Sequence, residues 1–333
     1  MNEYGLYVSP KDGGKQIVMT ESSYPINFIR DISMTMRYGN AGQKLKTVNI
    51  PGMSNYDTVI VPSSLCTYTQ DGAINRNRIQ SYWTEGDNFK CQYDYYAGPS
   101  LYFINGSESD SKFFIFGTLK NTPQNEYGLF FGNSIDNFRG VSQSSNVYHC
   151  VFRQKIKLTD RQYWSLPDSV PNKTRALVFV RPESAGHVLQ YNRAKGRIDS
   201  KGSGDVYIVI FTNGFPLYEN TGLNIWNKSG ELVFNSEYPP FTKNGHSISI
   251  NNSVGSSSFA KPMFTIDNPG AWLTRRYSNA IVWQTGFRIE GNRIIGVNMW
   301  DINTLPIYND YFNDEFADVI HGGSYAIDFN DYF

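Results

Sequence analysis

The sequence predicts an all-β protein built from tandem antiparallel β-sandwich modules, and three observations support this prediction. Aromatic residues make up 15% of the chain and charged residues 18%, a balance that favours pleated, half-buried strands. Apolar runs are short and alternate with turn signals rich in Gly, Asn and Ser, a spacing typical of sandwiches. One hairpin motif also recurs along the chain, as expected of two or three related repeats.

The recurring motif is most complete at residues 221–236. There Leu223 and Ile225 flank a polar residue, Ser229-Gly230 supplies turn chemistry, and residues 232–234 return as an apolar run. Residues 2–19 and 125–131 hold related sequences, and both begin Asn-Glu-Tyr-Gly-Leu. We therefore expect equivalent hairpins at all three places.

The order of strands after each hairpin is also similar. An apolar strand that ends in Pro follows the first two hairpins, at 58–62 and 176–182, and a longer apolar strand follows it, at 112–117 and 205–211. The third interval has weaker counterparts at 263–266 and 280–283. This order predicts a duplication or a triplication, and chance similarity between apolar strands is the alternative.

The repeats divide the chain into three predicted modules. We assign residues 1–120 to β-sandwich module 1, residues 121–217 to β-sandwich module 2, and residues 218–333 to a β module 3 with an acidic, aromatic C-terminal segment.

The remaining elements follow from local pattern. The predicted strands of module 1 are 32–38, 46–50, 58–61, 91–96, 100–104 and 112–116, and residues 76–89 form a polar stretch that contains Tyr82 and Trp83. Module 2 has strands at 148–156, 174–180 and 205–211, a short helix or turn at 158–164 and a glycine-rich mobile loop at 195–205. The run 205–211 is almost continuously apolar, which predicts burial on both of its faces. Module 3 has a strand at 279–284 and a predicted hairpin at 287–300 that turns at Glu290-Gly291-Asn292.

Charge and composition exclude several classes of protein. The formal net charge is zero and the basic residues are scattered, so no nucleic-acid footprint is expected. No apolar run is long enough to span a membrane, and residues 1–8 do not resemble a secretory signal. Three cysteines without a CxxC pattern favour synthesis in a reducing cytosol over a disulfide framework or a zinc site.

The C-terminal segment is acidic and aromatic at once. Between residues 301 and 333 there are seven acidic residues and no Lys or Arg. Such a segment packs as a final strand on its own module or docks on a neighbouring subunit; the second alternative predicts a closed homo-oligomer, with a trimer favoured. The aromatic residues of this candidate interface are Tyr308, Tyr311, Phe312, Phe316, Tyr325, Phe329, Tyr332 and Phe333.

No local motif indicates catalysis, a metal site or a cofactor. The four histidines lack metal-ligand spacing, and no nucleotide or nucleophile motif occurs. The densest acids, Asp310, Asp314 and Glu315, are interpreted as a solvated edge instead of a glycosidase pair. We therefore predict that the protein is not an enzyme and binds no cofactor.

Aromatic residues of module 1 are the remaining candidates for a site. They form a candidate sugar- or receptor-contact surface, although aromatic strand residues also pack in cores. These residues are Tyr82, Trp83, Tyr93, Tyr95 and Tyr96.

The repeated motif resembles a family of tail proteins of siphophages and related prophages. The resemblance rests on residues 2–8 with Gly13-Gly14, on residues 222–236 and on the strand 176–182, and covers about half of the chain as short motifs. It implies a structural virion component of the distal tail, at the tail tip or in a tail fibre, that assembles in the host cytoplasm. The implied partners are other tail proteins and a glycan or protein of the host surface. The family brings no catalytic residues, and carbohydrate binding or glycan degradation is the alternative function.

Overall fold

The computed structural model describes most of the chain. It covers residues 6–8, 17–19, 25–34, 42–64, 66–70, 74–97, 111–120, 128–131, 139–142, 146–214, 222–227, 229–251, 253–267, 271–276, 279–306 and 322–333.

The all-β prediction is confirmed. Strands make up 65% of the structure, and the described residues contain short 3₁₀ turns but no α-helix. All strand pairs are antiparallel, and the sheets are arranged as a four-bladed propeller.

The strands fall into three stretches of the chain. The first holds β1 (Leu6–Val8), β2 (Ile17–Met19), β3 (Asn27–Met34), β4 (Gly42–Asn49), β5 (Tyr56–Ser64), β6 (Cys66–Gln70), β7 (Ile74–Glu85), β8 (Asn88–Ala97) and β9 (Ser111–Leu119). The second holds β10 (Gly128–Phe131), β11 (Arg139–Ser142), β12 (His149–Leu158), β13 (Tyr163–Ser165), β14 (Leu177–Pro182), β15 (Val188–Asn192), β16 (Arg197–Lys201) and β17 (Gly204–Thr212). The third holds β18 (Asn224–Trp226), β19 (Leu232–Asn235), β20 (His246–Ile250), β21 (Val254–Ser256), β22 (Pro262–Thr265), β23 (Ala271–Arg276), β24 (Asn279–Glu290), β25 (Arg293–Pro306) and β26 (Gly322–Asp328).

Each predicted hairpin forms a two-stranded sheet of its own. The pairs are β1 with β2, β10 with β11, and β18 with β19. In the third hairpin, Asn227 Oδ1 accepts hydrogen bonds from the backbone N–H groups of Ser229 and Glu231, and Gly230 adopts φ +78°. This turn chemistry was legible in the sequence, and the three hairpins are confirmed.

After each hairpin, three strands of the chain form hydrogen-bonded pairs in the same order. The sheet β3-β9-β5, the half-sheet β12-β17-β14 and the half-sheet β20-β26-β22 each place the strand that comes last in the chain at the centre. The prediction that 280–283 is the counterpart of the long apolar strands at 112–117 and 205–211 is wrong, because those residues belong to β24 in a different sheet. The central strand is β26, whose short apolar run in an acidic segment hid it.

The other strands form a second set of sheets. They pair as β4-β8-β7-β6 and as a seven-stranded sheet in the order β13-β16-β15-β24-β25-β21, with β23 on β24. Two strand pairs cross the predicted boundary at 217/218: β14 pairs with β22 and β15 pairs with β24. The predicted modules 2 and 3 therefore share both of their large sheets.

Of two further elements of module 2, one differs from the prediction and the other agrees with it. The predicted mobile loop at 195–205 is the strand β16 and the turn into β17, in which Gly202 has φ +95°. Its glycines permit tight turns, which sequence reasoning took for mobility. The predicted helix or turn at 158–164 is a turn that leads into β13.

Central strands are buried on both faces because a core lies on each side of them. In β9, Phe113 and Ile115 face the four-stranded sheet, whereas Phe114 and Phe116 face the six-stranded sheet. In β17, alternate residues likewise join two different cores. The predicted two-sided burial of 205–211 is confirmed from Val206 onward, except for the partly exposed Tyr207.

Arg193 connects the first stretch of the chain to the other two. Its Nε donates to Ser63 Oγ at 3.1 Å, and its Nε and Nη2 donate to Asp267 Oδ1 at 3.0 and 2.7 Å. Its Nη1 donates to the carbonyl groups of Thr174 and Ala176 at 3.1 and 2.7 Å. Both charged side chains are largely buried, so removal of either one would leave the charge of the other uncompensated.

Candidate binding cleft

A cleft of about 670 Å³ opens between β5, β7 and β20. β5 is the last strand of its three-stranded sheet, and β20 is the last strand of the six-stranded sheet. β6 pairs with β7 only as far as Arg78, so residues 79–85 of β7 continue beyond it. The cleft therefore lies where three sheet edges approach one another without joining.

Trp83 and Tyr82 lie next to each other on the β7 wall of the cleft. Trp83 is 36% exposed. Tyr82 packs against Phe113, with ring centroids 5.2 Å apart, and burial raises the pKa of its hydroxyl to about 12. The two side chains project to opposite faces of β7: Tyr82 lies opposite the buried Cys91 and faces the core, whereas Trp83 lies opposite Lys90 on the other face.

Hydroxyl and amide groups supply most of the remaining lining. Thr58 and Thr84 share a hydrogen bond of 2.7 Å between their Oγ1 atoms, and Ser247 Oγ donates to the carbonyl of Ile60 at 2.9 Å. The other polar neutral residues of the lining are Gln80, Ser81, Ser249 and Asn251. None of the described residues that line the cleft is Asp or Glu.

Lys243 carries the only fixed charge among the described lining residues. His246 also lines the cleft, but burial lowers the pKa of its imidazole. Its Nε2 lies 3.2 Å from Ser257 Oγ, and its ring packs on Phe259 at 4.7 Å. The cleft is therefore close to neutral, with one positive charge, at pH 7.

Tyr93, another predicted contact aromatic, is not among the residues that line this cleft. Tyr93 packs against the core between the two sheets of the first stretch, and burial raises the pKa of its hydroxyl. Tyr95 and Tyr96 lie on β8 opposite Asn77 and Arg76, and their side chains lie outside the described residues. The structure thus brings together two of the five predicted residues.

The described part of the C-terminal segment packs on its own chain. Tyr325 and Tyr332 are buried in the core between the three-stranded and the six-stranded sheets. Phe329 and Phe333 stack on each other at 5.2 Å, and both contact Tyr207 edge-on at 4.8 and 4.9 Å. For these four residues the structure shows the packing of a final strand on the same chain.

Residues 307–321 lie outside the described residues. They include four aromatic residues of the predicted interface and the acidic group. The residues concerned are Tyr308, Tyr311, Phe312, Phe316, Asp310, Asp314 and Glu315.

Sequence reasoning missed a buried His–Ser pair. His187 Nε2 lies 2.6 Å from Ser200 Oγ, a distance that also suits a base and a nucleophile. The Ser200 hydroxyl donates to the carbonyl of Gly202 at 3.0 Å, so it accepts its other hydrogen bond from a protonated Nε2. Because the hydroxyl proton is committed and both residues are buried, the pair stabilises the β16–β17 turn.

The described residues hold neither a cluster of metal ligands nor a helix that could span a membrane. No group of three or more His, Cys, Asp or Glu side chains is arranged to hold a metal ion. No helix within the described ranges is long and apolar enough to cross a membrane.

Comparison with known proteins gives one match. The profile of DUF6453, a family of unknown function, matches residues 5–303. No curated protein and no solved structure matches the chain.

Proposed function

Because the chain belongs to the DUF6453 family, whose function is unknown, we propose a role for it from its own residues: it is a structural component of a bacteriophage tail. In this proposal it is part of the distal tail, at the tip or in a fibre, and assembles with other tail proteins in the host cytoplasm. One observation carries the proposal: the two segments that resemble the hairpins of phage tail proteins, and a third at 128–142, each form a separate hairpin that is followed by the same arrangement of three strands.

The proposal includes three tandem β-sandwich repeats. Each repeat consists of a hairpin, a triplet with the last strand at its centre, and a second sheet. The strands outside the triplets also pair in the same way in each repeat. One of them follows the first triplet strand in the chain, and it pairs with the strand that directly precedes the central triplet strand. These pairs are β4 with β8, β13 with β16, and β21 with β25. This shared connectivity supports a triplication over chance similarity. Structural superposition tests it, and hairpins or triplets that align only out of order would contradict it.

The alternative function is an enzyme that degrades glycans. Such an enzyme needs two carboxylates on opposite sides of the scissile bond, and the described lining of the cleft offers none. We therefore propose that the protein is not a glycosidase. Incubation of the purified chain with host envelope should release no reducing sugar, and reproducible release would favour the alternative.

Immunogold electron microscopy of purified virions tests the structural role. An antibody against the chain should label the distal end of the tail, and virions from a phage with a deletion of the coding sequence should show no label. Protein that is abundant in infected cells but absent from purified virions would contradict the proposal.

Light scattering tests the proposed homo-oligomer. The full chain should have the mass of a closed oligomer, with a trimer favoured, and a monomer at high concentration would contradict it. A variant that lacks the C-terminal segment is unsuitable because β26 is the central strand of a triplet.

A further inference from the structure

We propose that the three hairpins together form one docking surface for a homotrimeric protein, whose threefold axis coincides with a local threefold axis within this chain. Each hairpin contacts one subunit of that partner. The inference rests on the proposed function only for the source of the partner, which is another tail protein, whereas the surface and its symmetry come from the fold.

The segments that follow the hairpins pair with one another in a closed ring. Within each segment one residue pairs with one neighbouring segment, and the residue two positions later pairs with the other. The three bridges are Pro25 with Thr242, Val147 with Asn27, and Pro240 with His149. Because the same two positions are used in the same sense all the way round, the pairing has the pattern of a threefold rotation.

The residue between the two paired positions of each segment is anchored in the core. Ile26 donates its backbone N–H to the carbonyl of Phe241 at 3.1 Å, and Phe241 donates its own to the carbonyl of Tyr148 at 2.7 Å. All three side chains are fully buried in one core. The ring is therefore a fixed part of the fold, and it fixes the elements that are attached to it.

Each hairpin lies a short connection ahead of its ring segment. The last residue of the hairpin and the first paired residue of the ring are Met19 and Pro25, Ser142 and Val147, and Asn235 and Pro240. A rotation leaves the height along its axis unchanged, so the three hairpins surround the axis at one level. The large sheets depart from this relation, since β14 pairs with β22, but the hairpins belong to none of them.

The third hairpin presents apolar side chains to solvent. Ile225 packs against the same core as the ring, whereas Leu223 and Trp226 are 42% and 41% exposed. Among the described residues five large hydrophobic side chains are exposed, and this hairpin contributes two of them. The other two hairpins begin with the same Gly-Leu pair, at residues 5–6 and 128–129, so the sequence predicts an equivalent leucine in each.

The size and the charge of the hairpins select the partner. A hairpin with three or four residues per strand covers about 10 by 12 Å, far less than the roughly 800 Å² that each side of a stable interface buries. Residues 128–142 and 222–236 each hold one basic and one acidic residue, so they fit an apolar surface without net charge.

The symmetry of the hairpins selects a trimer. Three contacts made together bind far more tightly than one, because the second and third become intramolecular. A homotrimer meets three equivalent hairpins with a single repeated surface, whereas an unsymmetrical partner needs three different ones.

Photo-cross-linking of the full chain in the cells that produce its natural partners tests the proposal. In separate variants p-benzoylphenylalanine replaces Leu6, Leu129 or Leu223, one position in each hairpin. Control variants carry it at Leu45 or Tyr163, which are 59% and 60% exposed and lie on β4 and β13. Mass spectrometry identifies the cross-linked protein, and native mass spectrometry of the chain with that purified protein gives the ratio of the two.

The expected complex contains one copy of this chain and three copies of one partner. All three hairpin positions should cross-link to that partner, and the control positions should not. Leu223→Asp should weaken the complex at least tenfold, whereas Leu45→Asp, the same change at another exposed leucine, should leave it unchanged. Circular dichroism of each variant checks that the fold is retained.

Four results would overturn the proposal. They are the absence of cross-links from all three hairpins, cross-links from one hairpin alone or to different proteins, any other ratio in the complex, and cross-links to a second copy of this chain. The last result would assign the hairpins to the homo-oligomer. A symmetric complex with a protein that is absent from virions would contradict the tail role and leave the docking surface intact.

Discussion

Two regions of the molecule join their neighbours in different ways. Residues 146–333, the second region, are held together by continuous backbone pairing, because β14 pairs with β22 and β15 with β24. Residues 25–120, the first region, keep their three- and four-stranded sheets separate. The first region is attached to the second region by side-chain contacts and by a few backbone contacts of residues 25–28.

The difference explains where the cleft lies. Edge-to-edge pairing uses up the exposed N–H and C=O groups of both strands and leaves no gap. Face-to-face packing, as between Phe116 and Phe241 at 5.3 Å, leaves the strand edges beside the contact open. The first region therefore produces a cleft at its border, whereas the seam inside the second region is closed.

The largest expected effect is at Arg193, which links the two regions. Arg193→Met leaves the carboxylate of Asp267 buried without its counter-ion, which should destabilise the protein by about 3–5 kcal/mol. Urea unfolding followed by fluorescence measures this loss. We also expect the first region to unfold at a lower urea concentration than the second, so that two transitions become visible.

Lys155→Met is the control for this variant. Lys155 forms ion pairs with Glu183 and Asp205 at 2.8 and 3.1 Å, but all three side chains are exposed, so no measurable change is expected. If Arg193→Met cost no more than this control, the first region would not depend on the buried ion pair.

The next effect is at Gly245, at the border between the regions. A Cβ atom there would clash with the ring of Tyr325 and lie 2.6 Å from the carbonyl oxygen of Ala326. Gly245→Ala should therefore destabilise the protein by about 2–3 kcal/mol through overpacking. Thermal unfolding tests this against Gly291→Ala, which has φ +61° but open space around it and should cost about 1 kcal/mol. Equal costs would show that β20 can shift to accommodate the methyl group.

The third effect is a loss of stability in acid that depends on His149. Burial lowers the pKa of this histidine from 6.5 to about 3, so the unfolded chain binds a proton that the folded chain does not. The free energy of unfolding is therefore unaffected by this histidine above pH 6.5, and it decreases as the pH falls from 6.5 towards 3. Between pH 6.5 and pH 5 the loss is about 2 kcal/mol at 1.36 kcal/mol per unit.

Denaturant unfolding at pH 7 and pH 5 measures this loss. The difference between the two values should shrink in His149→Phe and change much less in His246→Gln, since His246 is only partly buried. An unchanged difference in His149→Phe would assign the acid sensitivity to other groups.

The smallest effect is expected at Trp83. Trp83→Ala should change the free energy of unfolding by less than about 1 kcal/mol because the side chain lies at an open edge, whereas Phe113→Ala in the core should cost about 3–5 kcal/mol. A large loss in Trp83→Ala would show that this residue holds the border of the first region together.

The sequence by itself determined the local features of this protein. The turn residues Asn227 and Gly230 predicted a hairpin because their side-chain and backbone preferences act within a few residues. The unbroken apolar run of β17 predicted burial on two faces because side chains alternate along a strand. The sequence predicted Tyr82 and Trp83 as contact candidates, but it did not distinguish them from Tyr93, which does not line the cleft.

Only the tertiary structure decided how these elements combine. The pairing of β14 with β22 joins residues 179 and 265, and no local pattern specifies a partner so far along the chain. The central place of β26 was hidden because its apolar residues are few and are buried by strands on both sides. The cleft arises where β5, β7 and β20 meet without pairing, and this depends on how whole sheets pack instead of on any one segment.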